Sequence, residues 1–320
     1  MPQVSIIVLT YNSDPSKLRA TLAAAALQQG VGVEIVISDD GSARKDFSFL
    51  PDFFADLGFT NWKLVENQEN RGTLANCCAG VNAATGEYVF LTSAGDILYD
   101  STTMQRFYEY ATAQDAQLCF GNAVRYCREI GKVRRTNPHS IPAAPDAYDA
   151  KHSLNRQRTA FFGGELIIGA CYFRKTDLAR KYFQELLGVS KYMEDTPSTM
   201  FAMADGLKVH YLDSNIVFYE DGTGVSTGAA EKWRKLLQQD LAASLSKLKQ
   251  LHPHDPWVDI AYHNATQTSR IKRIACRFLR HPYLSISMCL RKKTRKAKQI
   301  PCPQEQLTRL EQLLARYDNI

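Results

Sequence analysis

No apolar run in this 320-residue chain reaches the roughly 20 residues that cross a bilayer, so any membrane contact is expected to be peripheral. Its eight cysteines (77, 78, 119, 127, 171, 276, 289 and 302) form no C-x-x-C pair and have no histidines at zinc-finger spacing. That absence excludes a disulfide framework and points to a reduced, cytoplasmic chain. His139, His152 and His210 are scattered without metal-ligand spacing. Met1-Pro2-Gln3 enters an apolar segment at once, with no basic region, apolar core or cleavage site ahead of it, so no export signal is expected. Neither G-x-G-x-x-G nor G-x-x-x-x-G-K-[ST] follows Leu9, so pyrophosphate is not held by a glycine-rich loop on the first helix. Acidic residues are missing altogether from Arg270 to Lys298, where eleven Lys and Arg stand unopposed.

What is present suits a globular chain: 45% hydrophobic, 22% charged and 10% aromatic residues, which excludes disorder and collagen-like structure. The net charge of +6 is unevenly spread. Residues 231–320 hold 18 Lys/Arg against 7 Asp/Glu, a net +11, leaving 21 against 26, a net −5, in residues 1–230.

Val4 to Leu9 is too continuously apolar for a strand with one wet face, and it predicts a buried parallel strand ending in Thr10-Tyr11-Asn12. Asp14-Pro15 opens a helix with Leu18, Leu22 and Ala25/Ala26 at helical spacing, closed by Gly30. Val33 to Ser38 predicts a second buried strand, stopping at Asp39-Asp40-Gly41-Ser42. A short strand near Lys63 to Glu66 precedes Asn70-Arg71-Gly72 and a helix with Ala75, Ala79 and Val81 inward. Glu87 to Thr92 is a third long strand running into Ser93-Ala94-Gly95-Asp96. Strands and helices alternating in this way imply right-handed βαβ units, hence an α/β fold with a mostly parallel, Rossmann-like sheet flanked by helices. Ligands of such sheets bind at the carboxyl ends of the strands. Thr10-Tyr11-Asn12, Asp39-Asp40 and Ser93 to Asp96 all fall there, although each cluster alone also suits a turn or a helix cap. Carboxylates at strand ends suit a base NH, ribose hydroxyls or a divalent metal carrying phosphates.

The segments V-S-I-I-V-L-T-Y-N, V-I-S-D-D-G-S and N-R-G-T-L-A-N-C-C-A-G-V-N-A-A-T-G-E-Y-V-F-L-T-S-A-G-D-I-L together resemble the N-terminal half of family-2 glycosyltransferases with the GT-A fold. Met193-Glu194-Asp195 resembles that family's Glu-Asp motif, and Tyr219 to Ser226 the segment that closes its catalytic domain. The resemblance spans about residues 3–227. It implies a GT-A catalytic domain over 1–230, with a nucleotide-sugar half in 1–100 and an acceptor half in 101–230. It also implies that Thr10 and Tyr11 line the nucleotide base, that Asp40, or else Asp39, accepts from the uracil NH, that Arg71 lies beside the base, and that Ser93 and Asp96 belong to the nucleotide site. Asp96 would touch the ribose or a metal bridging the diphosphate. Displacing a nucleoside diphosphate from an anomeric carbon needs a cation near the phosphates and a carboxylate on the opposite side to deprotonate the acceptor hydroxyl. Asp195 is the expected base, with Glu194 second; Asp195 or Thr196 also suits a helix N-cap.

Two departures from the family pattern stand out. Where the family shows Asp-x-Asp, the corresponding triplet is Ser93-Ala94-Gly95, followed by a lone Asp96. Two arrangements follow: Mg²⁺ or Mn²⁺ held by Asp96, the diphosphate and waters, or a basic side chain in place of the metal. Cys78 stands where the family often has Asn.

Val133 to Asp149, rich in Pro, Ala and charge, is expected to loop over the crevice, and Leu166 to Phe173 to form an apolar strand. Gly163 and Gly164, before that strand, either leave room for an acceptor sugar or make a tight turn. Residues 231–320 are expected to form a helical, basic C-terminal extension. Within it a basic amphipathic helix and a polybasic run, spanning 270–298, suit an anionic membrane surface or else pack on the body with their charges in solvent. The last helix, with Leu307, Leu310, Leu314 and Tyr317 on one face, packs back or makes a homodimer. Nucleic acid is not an expected partner, because no aromatic stacking platform is interleaved with these charges. The function these features imply is inverting transfer of a sugar from a nucleotide donor, UDP in the first instance, to a hydroxyl of a glycan or lipid-linked acceptor in surface-polysaccharide (O-antigen- or capsule-like) synthesis. The alternative is a non-catalytic nucleotide- or glycan-binding protein.

Overall fold

The computed structural model describes residues 2–43, 46–129, 132–222 and 231–318. The chain runs β1 (Val4–Thr10), α1 (Pro15–Ala26), β2 (Val33–Asp39), α2 (Leu50–Asp56), β3 (Trp62–Glu66), α3 (Thr73–Ala83), β4 (Tyr88–Ser93), β5 (Ile97–Leu98) and α4 (Thr103–Ala113). It continues through β6 (Leu118–Glu129), β7 (Lys132–Asn137), α5 (Leu154–Phe161), β8 (Tyr172–Lys175), α6 (Thr176–Leu186), α7 (Asp195–Ala204) and β9 (His210–Glu220). Five helices finish it: α8 (Glu231–Leu251), α9 (Pro256–Thr266), α10 (Arg270–Arg280), α11 (Pro282–Thr294) and α12 (Gln304–Tyr317).

The strands form one sheet in the order β3-β2-β1-β4-β8-β6-β9-β5, with β7 added on β6. β1 pairs in parallel with β2 and β4, as β2 does with β3 and β6 with β9, while β8, β5 and β7 run antiparallel to their neighbours. The continuous apolar runs of β1 and β2 are buried because helices cover both faces, leaving one hydrophobic cluster on each side of the sheet. The tail takes part in both. Leu245, Leu248, Val258 and Met288 join one cluster; Ile300, Leu310, Leu314 and Tyr317 join the other.

Three local expectations are corrected. Val133 to Asp149 is not a free loop: β7 pairs with β6, Ser140 N donates to Lys298 O at 2.8 Å, and Ile300 N donates to Pro138 O at 3.0 Å. Lys132, Arg134 and Arg135 are charges that suit an edge strand. Leu166 to Phe173 is mostly not a strand either, since a 3₁₀ turn occupies Gly169–Cys171 and pairing starts at Tyr172. In α3 the buried residues are Leu74, Asn76, Cys77, Cys78, Gly80 and Val81, while Ala75 and Ala79 are only half-buried. The last helix packs back: Tyr317 lies 5.9 Å from Phe53, ring to ring, and Val133 N donates to Glu311 at 3.0 Å.

Candidate active site

Register alone brings the three strand-end clusters together. Thr10 of β1 sits opposite Asp39 of β2, and Leu9 opposite Ser93 of β4, so all three end at one edge of the sheet. Asn76 of α3 floors this edge, donating to Ser38 O at 3.0 Å and accepting from Ser38 Oγ at 2.7 Å.

The two aspartates of β2 differ in surroundings. Asp39 is fully buried and accepts from Ser42 N and Oγ at 2.9 and 2.5 Å, so it shapes the Gly41-Ser42 turn. Ser42 Oγ in turn accepts from Asn12 N at 2.7 Å, tying the β1 loop to the β2 loop. Asp40 accepts from Arg71 N and Gly72 N at 2.9 and 2.8 Å, and burial raises its carboxyl above the usual range. Thr10 is buried and its carbonyl accepts from Asp40 N at 3.0 Å. Tyr11, Arg71 and Ser93 are exposed at the rim.

Asp96 has a different setting from the one expected. It is buried, accepts from Glu220 N at 3.1 Å, and is pushed up to about 7, first by burial. Nearby, Lys17 binds both Glu220 oxygens at 2.7 Å, and Tyr126 donates to Gly95 O at 2.6 Å. Asp96 thus lacks the solvent-facing carboxylate that a hard cation takes, and no group of three His, Cys, Asp or Glu side chains among the described residues could hold a metal. The residues present do not fit a protein-held Mg²⁺ or Mn²⁺ on Asp96.

Glu194 and Asp195 lie at the same edge. The Gly169–Cys171 turn leads into β8, which pairs antiparallel with β4 through Phe173 and Phe90, so the turn flanks the carboxyl end of β4. A Cβ placed at Gly169 would lie 3.0 Å from Glu194 Oε1 and 3.4 Å from Asp195 Oδ2, which is why that position is glycine. Both carboxyls are partly open to solvent yet ringed by protein. Burial and the Asp195 charge push Glu194 up to about 8. Asp195 is also raised by burial, but Thr196 N donates to it at 2.5 Å, and Arg174 and the N-terminus of α7 favour its charged form. Burial thus holds both carboxyls above their usual range, and the two titrate as a coupled pair.

Several contributors carry no sequence signal. Arg174, wholly buried on β8, lies close enough to both carboxyls to lower them, and its Nη2 has no hydrogen-bond partner. Asp240 of α8 accepts from Lys191 N, Tyr192 N and Met193 N at 3.1, 2.6 and 3.1 Å, holding the loop that presents Glu194. Lys191 also meets the Asp40 corner: Leu74 N donates to its carbonyl at 3.1 Å, and a Cβ on Gly72 (φ +95°) would fall 2.5 Å from its Cγ. One chain of contacts thus links Asp40, Gly72, Lys191 and Asp240.

Gly163 and Gly164 are explained by backbone geometry. A Cβ at Gly163 would lie 2.6 Å from Thr159 O, whereas Gly164 has φ +99° with open space around it. Of the closing segment Tyr219 to Ser226, residues 223–226 lie outside the described residues.

Comparison with known proteins identifies the fold and the family. The chain shares 32% identity over 122 residues with the "Succinoglycan biosynthesis protein ExoO" of Rhizobium meliloti (strain 1021), a match covering 38% of this chain and 33% of that protein. Among solved structures it resembles S. aureus TarS in complex with UDP-GlcNAc, with TM-score 0.58, 14% identity, and 92% and 91% of the two chains covered. It also resembles the mannosyltransferase PcManGT from Pyrobaculum calidifontis in complex with GDP-Man and Mn²⁺, with TM-score 0.52, 18% identity, and 92% and 87% covered. The mixed sheet flanked by helices is the GT-A fold. The family described as "Glycosyl transferase family 2" matches residues 5–183, more than half of the sequence, and the chain belongs to that family.

Proposed function

We propose that this protein is an inverting glycosyltransferase that moves a sugar from a UDP-sugar to a hydroxyl of a glycan or lipid-linked acceptor in surface-polysaccharide synthesis. The observation that carries the reading is the carboxylate pair at the strand-end edge, where Asp195 opens α7, accepts from Thr196 N at 2.5 Å and lies with Glu194 against the Gly169 turn. An ionised carboxylate facing a nucleotide-sugar crevice can take the acceptor's proton as its oxygen attacks the anomeric carbon, and in-line attack inverts that centre. Thr10, Tyr11, Asp40 and Arg71 form the base side of the proposed donor site, with Ser93 at the ribose edge and Gly163 and Gly164 toward the acceptor. Asp39 and Asp96 support these loops. Positive charge for the departing diphosphate is assigned to Arg71 and Lys191, whose side chains are exposed on the two strands of contact that meet at Gly72. The UDP assignment is supported by the UDP-GlcNAc complex of TarS, and the polysaccharide assignment by the succinoglycan relative. The functional division is a catalytic domain in 1–230 and a helical extension in 231–320 that meets an anionic membrane surface through 270–298. Among the described residues no helix is long and apolar enough to cross a membrane.

Screening nucleotide sugars for thermal stabilisation, with Mn²⁺ and with EDTA, tests this reading. A uridine-specific rise in Tm that survives EDTA is expected. A rise that needs Mn²⁺ restores the divalent ion, and no rise with any nucleotide sinks the enzyme.

A further inference from the structure

Seven of the eleven large hydrophobic side chains exposed among the described residues fall between Ile271 and Leu290. On α10 no residue is buried; Ile271 is 79% and Leu279 83% exposed, with Ile274 and Phe278 on the same stripe. The less exposed positions are Arg273, Cys276 and Arg277, so the helix rests on the body through its basic side and turns its apolar side outward. A surface helix that only packs on its own protein does the reverse.

This seating is built rather than loose. Asp259 of α9, buried and held down to about 2, accepts from Lys249 at 2.6 Å and His281 at 2.9 Å, and lies 3.4 Å from Arg280. Arg277 donates to Ser285 O at 3.2 Å and Ser285 Oγ returns a bond to Arg277 O at 2.9 Å, clamping α10 to α11. α11 buries Ser285 and Met288 and continues the outward stripe with Tyr283, Ile286 and Leu290. Those three side chains also form one wall of a groove of about 610 Å³ between α5 and α11, which Arg156 and Arg291 line as well. Around the stripe, Arg270, Lys272, Arg273, Lys292, Lys293 and Lys296 have no carboxylate partner among the described residues.

We infer that α10 and α11 form a docking face for an anionic lipid bilayer: the apolar stripe enters the headgroup region, the free cations meet lipid phosphates, and the α5–α11 groove seats one such phosphate. Charge complementarity selects this occupant. A second copy would bring the same uncompensated cations face to face, and a polyanion such as RNA gives the aliphatic stripe nothing to bury against. The placement deepens the lipid-linked-acceptor reading and rests on it for its use. A Cβ on Gly163 would lie 3.7 Å from Met288 of α11, whereas Gly169 abuts Asp195. The six-residue step between them spans at most about 20 Å, so a membrane-held acceptor starts close to the proposed base.

Sedimentation with vesicles of phosphatidylglycerol and phosphatidylcholine, compared with phosphatidylcholine alone, tests it without any sugar donor. Wild type is expected to bind the anionic vesicles, Ile271→Asn/Leu279→Asn to bind at least about 10-fold more weakly, and Lys292→Gln/Lys293→Gln about 10-fold more weakly. Stabilisation by UDP is expected to be unchanged in both variants, so loss of docking and loss of the transferase reading are told apart. Wild type that ignores anionic vesicles, either variant that binds like wild type, a dimer that the apolar variant makes monomeric, or salt-sensitive RNA binding without vesicle binding each overturns the inference.

Discussion

Glu194 and Asp195 adjoin in sequence yet lie in different fields. Asp195 opens α7 and receives a backbone N–H, whereas Glu194 gains mainly burial and a like charge; Arg174 acts on both. A carboxyl moved from its usual 4.5 to about 8 binds its proton more tightly in the native state than in the unfolded one. Its contribution to stability is complete below the unfolded value and is lost as pH rises through about 8. Glu194→Gln is therefore expected to flatten the fall of Tm between pH 5 and pH 9; parallel curves for variant and wild type contradict the proton placement. The Glu-Asp dipeptide was legible in the sequence, but the surroundings that raise both carboxyls were not. Arg174 and Gly169 reach the pair only through folding. Asp96 shows the opposite outcome. Sequence placed it at the strand end, but only the fold shows its carboxyl buried and accepting from Glu220 N.

At the scale of elements, β1, β2 and β4 were legible because strands buried on both faces leave unbroken apolar runs. The α1 boundary was legible too, since Asp14 caps Ser16 N and Lys17 N ahead of Pro15. Leu166 to Phe173 misled because an apolar run records burial and not pairing, and here the segment buries its side chains around a turn. Asp240 was invisible for a different reason: it lies 47 residues beyond Met193 on a helix whose sequence reads only as amphipathic. Its three bonds to the 191–193 backbone predict that Asp240→Ala costs about 1–3 kcal/mol and lowers donor turnover, because it frees the loop ahead of the carboxylate pair. A calorimetric scan and a turnover assay on one preparation check this, and a variant with wild-type Tm and rate contradicts it.

Across the whole molecule the charge asymmetry has a structural counterpart. The body of net −5 holds the strand-end crevice, and the tail of net +11 is divided in its tasks. α8 and α9 brace the side of the sheet that carries α7, α12 covers the side that carries α1, and only α10 and α11 turn an apolar face outward. Amphipathic periodicity was legible in α10 and α12, but periodicity does not say which side faces the protein. The ion pairs of Asp259 decide that for α10.

The central claim is that Asp195 removes the acceptor proton at a nucleotide-sugar site. Its most direct measurement is the rate of UDP release from the stabilising UDP-sugar by wild type and Asp195→Asn, with UDP affinity determined on the same samples. A fall of at least about 100-fold in rate is expected, with affinity within about 2-fold of wild type. A variant that turns over within about 10-fold of wild type, or that loses UDP binding along with its activity, contradicts it.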